Sequence, residues 1–151
     1  MKYHSQNNKS EFTIIAETGD QFIDFSPYVA SINNKGIIAF QAESANGITG
    51  IYSGDGVSLN TVIDSAGTDF KYFYSHPDIN DKDEYCFYAE LNSGSQGIFL
   101  YKNNETVSLA ETDAIFKSIG PLGPVMNEKD AVAFRADMNS GYKGIFIFNF
   151  F

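Results

Sequence analysis

β-Branched and aromatic residues fill short runs along this chain, and each run is closed by Gly, Asn, Asp or Ser. Ile37-Ile38-Ala39-Phe40-Gln41-Ala42-Glu43 is one such run, entered through Asn33-Asn34-Lys35-Gly36 and left through Ser44-Ala45-Asn46-Gly47. Runs of this length and make-up predict strands. The pattern places a first strand at 28–32, a second at 37–43, a third at 48–53 and a fourth at 57–64, the last two joined through Gly54-Asp55-Gly56. Asn33 suits the opening of a type I turn, and Gly36 suits a left-handed position, which Asp83 and Asp130 take in later copies. No window keeps a 3.6-residue period over about ten residues, so helices are not expected.

The whole unit recurs. The stretch 33–43 returns 47 residues later as 80–90, and again as 127–137. Identical residues stand at Asn33/Asn80/Asn127, Lys35/Lys82/Lys129, Phe40/Phe87/Phe134, Ala42/Ala89/Ala136, Gly47/Gly94/Gly141, Gly50/Gly97/Gly144 and Ile51/Ile98/Ile145. Agreement without a gap at that many columns marks an internal duplication. Residues 1–11 are polar and aperiodic and read as a flexible tail. Residues 12–151 read as one domain of three β repeats.

Four antiparallel strands in about 40–50 residues is the unit of a propeller blade. The order of Asn-x-Lys-Gly turn, Ile-Ile-Ala-Phe strand, Gly-Ile-Tyr strand and terminal strand resembles the blades of TolB-type β-propellers, whose corresponding turn is usually Ser-Pro-Asp-Gly. It is also similar to bacterial tandem-repeat proteins carrying Asn-Asp-x-Gly-x-Val-Ala-Phe. The resemblance spans about residues 12–151 and implies blade architecture, with almost nothing about function. It departs at Asp83 and Asp130, which replace the turn glycine, and in blade number.

Propellers close with four to eight blades, and three would leave two apolar sheet faces in water. The repeat also starts out of phase. A fourth-strand segment at 12–17, with Ile15 matching Val62 and Leu109, opens it, and a third strand at 145–150 ends it. The expected solution is strand exchange between two chains, giving an all-β homodimer that closes as a six-bladed propeller. A β-trefoil, which also has three four-stranded repeats, is the alternative, and a β-prism is a third.

Composition narrows the partners. Hydrophobic residues make up 43% and charged residues 19%, which suits a globular domain. The formal charge of −9, with Arg135 the only arginine, argues against nucleic acid. Cys86 is the single cysteine and stands in the column of Ala39 and Ala133, so a buried thiol is expected and an intrachain disulfide is impossible. Neither an apolar leader in the first residues nor a membrane-length apolar run is present, so a cytoplasmic location is expected.

Candidate chemistry lies where matched columns diverge. Gln41/Tyr88/Arg135 is one such column on the second strand. Tyr28/Ser75/Leu122, Val29/His76/Gly123 and Ser31/Asp78/Val125 are others, on the strand that would line a channel. Tyr28, Gln41, His76, Asp78, Tyr88 and Arg135 are therefore the candidate ligand-binding residues, although drift at surface positions gives the same divergence. Ser75, His76 and Asp78 have the residue types of a hydrolase triad, but they adjoin in sequence, and strand alternation would part Ser75 from His76. The acids between Asp78 and Glu84 fail the calcium-loop count, since the fifth position is Lys82 and the twelfth is Ala89. The repeated acids Glu17/Asp64/Glu111 and Glu43/Glu90/Asp137 are expected to accept hydrogen bonds from neighbouring turns. No catalytic set, metal site or cofactor is expected. The reading is a non-enzymatic binding or scaffold protein that recognises a peptide, protein or small ligand. The alternative is a carbohydrate-binding repeat protein, for which Tyr would have to stand in for the absent Trp.

Overall fold

A computed structural model describes residues 2–4, as backbone only, and residues 11–150. The chain is all-β, with three separate antiparallel sheets built from consecutive segments. A short ribbon, β1 (Lys2–His4) with β2 (Glu11–Thr13), precedes them. Sheet I contains β3 (Phe22–Phe25), β4 (Ser31–Ile32), β5 (Ile38–Ser44), β6 (Thr49–Gly54) and β7 (Leu59–Asp64). Sheet II contains β8 (Phe70–Ile79), β9 (Tyr85–Leu91), β10 (Gln96–Lys102) and β11 (Glu105–Glu111). Sheet III contains β12 (Phe116–Ile119), β13 (Val125–Met126), β14 (Val132–Met138) and β15 (Lys143–Phe148). Sheet II pairs its strands in sequence order; in sheet I both β3 and β4 pair with β5, and in sheet III both β12 and β13 pair with β14, and among the described residues no ladder joins one sheet to the next. The interlocked barrel of a trefoil needs such ladders. No helix among the described residues is long and apolar enough to cross a membrane.

Three expectations need correction. The first strand, expected at 28–32, is longer and divided. β8 runs unbroken through ten residues, whereas in sheet I the same path splits into β3 and β4, with Tyr28 and Val29 between them. Ser26 and Gly120 N–H still donate to Gln41 O and Arg135 O, and the ladder stops at the next residues, Pro27 and Pro121, which have no N–H; β8 passes its own Pro77 within a register shift between Tyr74 and Asp78. The expected polar tail is in part a ribbon, since Tyr3 pairs with Phe12 and Lys2 with Thr13; Met1 and residues 5–10 lie outside the described residues. Of the strand expected at 12–17, only Phe12 and Thr13 are in a ladder, and it is that ribbon's.

Each sheet has two apolar faces. On the front face a ring pair stacks across the second and third strands: Phe40–Tyr52 at 5.9 Å, Phe87–Phe99 at 5.8 Å and Phe134–Phe146 at 5.8 Å. A phenylalanine from the innermost strand meets each pair edge-on, Phe22, Phe70 and Phe116 in turn. Such edge-to-face contacts add about 0.5–1.5 kcal/mol beyond the burial itself. On the back face small and aliphatic side chains point at the next sheet. Ala39 and Ile51 of sheet I pack on Phe70, Phe73, Phe87 and Phe99 of sheet II. Cys86, Ile98 and Leu100 of sheet II pack on Phe116, Phe134 and Ala136 of sheet III. The Cys86 thiol is fully buried, and burial raises its pKa well above the usual thiol value.

The turns between first and second strands lock this stacking. Asn33 Oδ1 accepts from Lys35 and Ile37 N–H, Asn80 Oδ1 from Lys82 and Glu84 N–H, and Asn127 Oδ1 from Lys129 and Ala131 N–H. Gly36, Asp83 and Asp130 take the left-handed position at φ of 79°, 57° and 62°. Each turn also reaches the next. Asn33 Nδ2 donates to Asn80 O and to Asp83 Oδ1, and Lys35 Nζ reaches Asp83 Oδ2 at 2.6 Å. One sheet on, Asp81 N–H donates to Glu128, and Lys82 pairs with Asp130.

Asn80 is 2% exposed and sits at the centre of this network. Replacing it with Ala strands two backbone N–H groups and removes the acceptor side of the turn, so Asn80→Ala is expected to cost about 2–3 kcal/mol in urea unfolding. Asp81→Ala, at the exposed edge of the same turn, should leave the urea midpoint close to that of the unaltered chain.

Candidate binding site

A cleft of about 160 Å³ opens between the inner strands of sheets I and II. Its floor is Gln41, Phe73 and Ser75; its walls are Phe25, Tyr28, Tyr72 and Tyr74; Asp24 and Glu43 stand at its edge. β5 carries Gln41 and Glu43 on the face turned to sheet II, and the broken path between β3 and β4 leaves Tyr28 standing free, 47% exposed. Tyr72 is exposed too, with its ring 4.8 Å from that of Tyr74, which in turn lies 5.0 Å from Tyr88. The Glu43 carboxylate has no hydrogen bond or ion pair among the described residues. Asp24 accepts from the adjacent Phe25 N–H.

Behind the cleft, Glu90 of β9 accepts from the Tyr74 hydroxyl and from Lys71 Nζ at 2.9 Å. The Tyr74 hydrogen bond, with Lys71 behind it, holds the Glu90 carboxyl below the usual range. Desolvation and the same carboxylate push the Tyr74 phenol well above its ordinary value. At neutral pH the pair is therefore a neutral phenol donating to a carboxylate.

The expected site residues do not form one cluster. Tyr28 and Gln41 line the cleft, and Gln41 Nε2 donates to Phe73 O at 3.2 Å. Tyr88 abuts the cleft through Tyr74, gives its hydroxyl to Gln96, and packs on Gly120. Arg135 lies apart from the cleft and meets only its own sheet III: Nη1 donates to Gly120 O, and Nη2 lies 2.7 Å from Asp137 Oδ1 as an ion pair without hydrogen-bond alignment. Asp78 accepts the Ser31 hydroxyl from sheet I and Met126 N–H from sheet III, so it ties three sheets together. His76 is half-buried, and its carbonyl presses on Gly123, where a Cβ would lie 2.0 Å from that oxygen.

Ser75 and His76 differ in burial, the first buried and the second half-buried, as alternation along the strand would have it. Ser75 has φ of 59°, at a register shift between Tyr74 and Asp78, and its hydroxyl accepts from Gly123 N–H. Ser75 and Asp78 are thus each engaged with another sheet. Among the described residues no group of three or more His, Cys, Asp or Glu side chains converges as a metal site. The acids of the turn at Asp81 and Asp83 face Asn34 and Lys35. Of the repeated acids, Asp64 caps Ala66 N–H, and Glu111 accepts from Ser95 and Ser108, while Glu43 takes no such partner.

Tyr72 and Asp24 were not among the expected site residues. Their columns, Phe25/Tyr72/Ile119 and Asp24/Lys71/Ser118, diverge as sharply as those chosen, and that divergence was the available signal. Compared with known proteins, the chain matches no family model, no curated protein and no solved structure.

The Glu90 pair makes a pH-dependent prediction. A carboxyl whose folded pKa is depressed contributes stability that is present above its unfolded pKa and lost as pH falls through the folded one. Tyr74→Phe should return the Glu90 titration upward toward the ordinary carboxylate range, read by carboxyl-carbon NMR, and should move acid unfolding to higher pH. Lys71→Ala should do so less.

Proposed function

We propose that the chain is a non-enzymatic binding protein. Its three sheets are propeller blades, two copies close them into a six-bladed β-propeller, and the cleft at Tyr28 takes a peptide or small ligand carrying a positive charge. The observation that carries the ligand reading is the cleft's lining. Tyrosine faces at Tyr28 and Tyr72 stand beside the carboxylates of Asp24 and Glu43, within a concave site on the inner strands. Ring faces and carboxylates together attract ammonium and guanidinium groups, with about 0.5–2 kcal/mol from each cation–π contact. The net charge of −9 draws the same class of ligand from a distance. The lining does not recur in the other sheets, where Ser75 and Leu122 replace Tyr28. That favours one site per chain over the repeated sites of a lectin.

Calorimetric titration with short peptides tests this. Lys- or Arg-centred tetrapeptides should bind, and their Glu-centred counterparts should not. Glu43→Gln should weaken binding about tenfold, equivalent to about 1.4 kcal/mol, and Tyr28→Ala at least as much. Neutral oligosaccharides binding in place of the cationic peptides would instead establish the carbohydrate reading.

A further inference from the structure

The back face of sheet III is bare. Ile145 and Ile147 are 78% and 62% exposed, whereas Ile51, Ile98 and Leu100, their counterparts on sheets I and II, are fully buried by the next sheet. We infer that this face is covered by sheet I of a second copy, and that the second copy's segment 12–17 becomes the fourth strand of sheet III. The inference rests on the six-bladed reading and gives its junction residue by residue.

Two independent features fit that occupant, and a third point of the junction departs from the internal ones and gives a test. The first is the placing of Ile15 and Ala16. They pack on the front face of sheet I, against Phe22, Phe40 and Tyr52. Val62 and Ile63 of β7 take the corresponding place on sheet II, and Leu109 and Ala110 of β11 on sheet III. Ile15 and Ala16 thus occupy the position of a preceding sheet's fourth strand, and the strand beside which they would pair is an open β15. In sheets I and II the third and fourth strands pair Gly50 with Asp64 and Ile51 with Ile63, then Gly97 with Glu111 and Ile98 with Ala110. The same register sets Gly144 opposite Glu17 and Ile145 opposite Ala16 of the second copy.

The second feature is a change of residue type at matching points. Within the chain, inner-strand contacts between sheets are polar: Ser31 to Asp78, Asp78 to Met126 N–H, and Ser75 to Gly123 N–H. Sheet III carries Val125 where its predecessors carry Ser31 and Asp78, and Leu122 where sheet II carries Ser75. The residues of sheet I that would receive them are Ile32 and Val29. All four are more than half exposed. Apolar side chains therefore stand on both sides of this one junction, where internal junctions use hydrogen bonds.

The third is the turn ladder. Lys35 reaches Asp83 and Lys82 reaches Asp130, but Lys129 would meet Gly36. This junction alone lacks the ion pair. Gly36 has the left-handed φ that Asp83 and Asp130 tolerate, and nothing lies within 4 Å of a Cβ built there.

Light scattering on the full chain should give a dimer. An Ala16→Cys/Ile145→Cys chain treated with a short bis-maleimide should run as a covalent dimer, with Cys86 shielded by burial, while each single variant should stay a monomer on denaturing gels. Gly36→Asp should tighten the dimer about two- to five-fold at low salt, an effect removed by Lys129→Ala. A dimer that fails both to cross-link and to respond to Gly36→Asp would overturn this junction and leave the six-bladed reading standing. A monomer at every concentration would overturn both.

Discussion

A sheet that is apolar on both faces is stable only between two neighbours, and the rest of this structure follows from that requirement. Sheet II meets it within the chain. Its front face buries Phe70, Phe87 and Phe99 against Ala39 and Ile51, and its back face buries Ile98 and Leu100 against sheet III. Each fully buried Phe, Ile or Leu contributes about 1.5–3 kcal/mol relative to exposure. The asymmetry between faces allows close stacking. At the two junctions within the chain, large rings on the front face of one sheet meet alanine, cysteine and isoleucine on the back face of the sheet before it, so ridges of one sheet enter hollows of the next. Gly50 and Gly97 serve the same end, since a Cβ at either would fall 2.8 Å or less from the backbone or side chain of the fourth strand beside it.

Apolar contact alone would let the sheets slide or rotate over one another. The polar turns fix the register. Asn33 and Asn80 are buried at 8% and 2%, and each satisfies its own turn while touching the network of the adjacent one. A buried amide left without partners costs more than its hydrogen bonds return, so the turns tolerate few displacements. Asn127 makes the same internal turn but is exposed. The difference lies in its surroundings, because no further turn packs on it among the described residues.

Much of this was legible in the sequence, and the rest was not for identifiable reasons. The second, third and fourth strands and the left-handed turn position could be read because they fall in gapless columns of the repeat. The innermost strand could not. Of its edge-on rings, Phe22 and Phe116 share a column, but Phe70 sits one residue out of it because the loop before it is one residue longer, so a gapless comparison sets Asp69 between them and hides the match. The bulge at Ser75 was also invisible, since a left-handed serine inside a strand has no sequence signature. Of the site, Tyr28 and Gln41 were found and Tyr72 was not, because one strand was placed too late in the chain.

Divergent columns turn out to be of two physical kinds. Gln41 and Tyr88 share a strand position that faces the following sheet, and each is matched to what lies there, whereas Arg135, at that position on sheet III, turns to Gly120 O and Asp137 of its own sheet. Gln41 meets a carbonyl at Phe73, and Tyr88 meets the bare backbone of Gly120, where any Cβ would lie 2.9 Å from its ring. Divergence at such a column records co-adjustment across a packed boundary, and a change on one side without the other would leave a void or a clash. Tyr28 and Tyr72 are divergent without such a counterpart, and Glu43, in a column that keeps an acid, has no side-chain partner among the described residues. Their side chains face open space, and their own stability is served as well by many other residues. Boundary fitting therefore accounts for the first group and not for the second, which is why the cleft, and not the whole set of divergent positions, is where a ligand is to be sought.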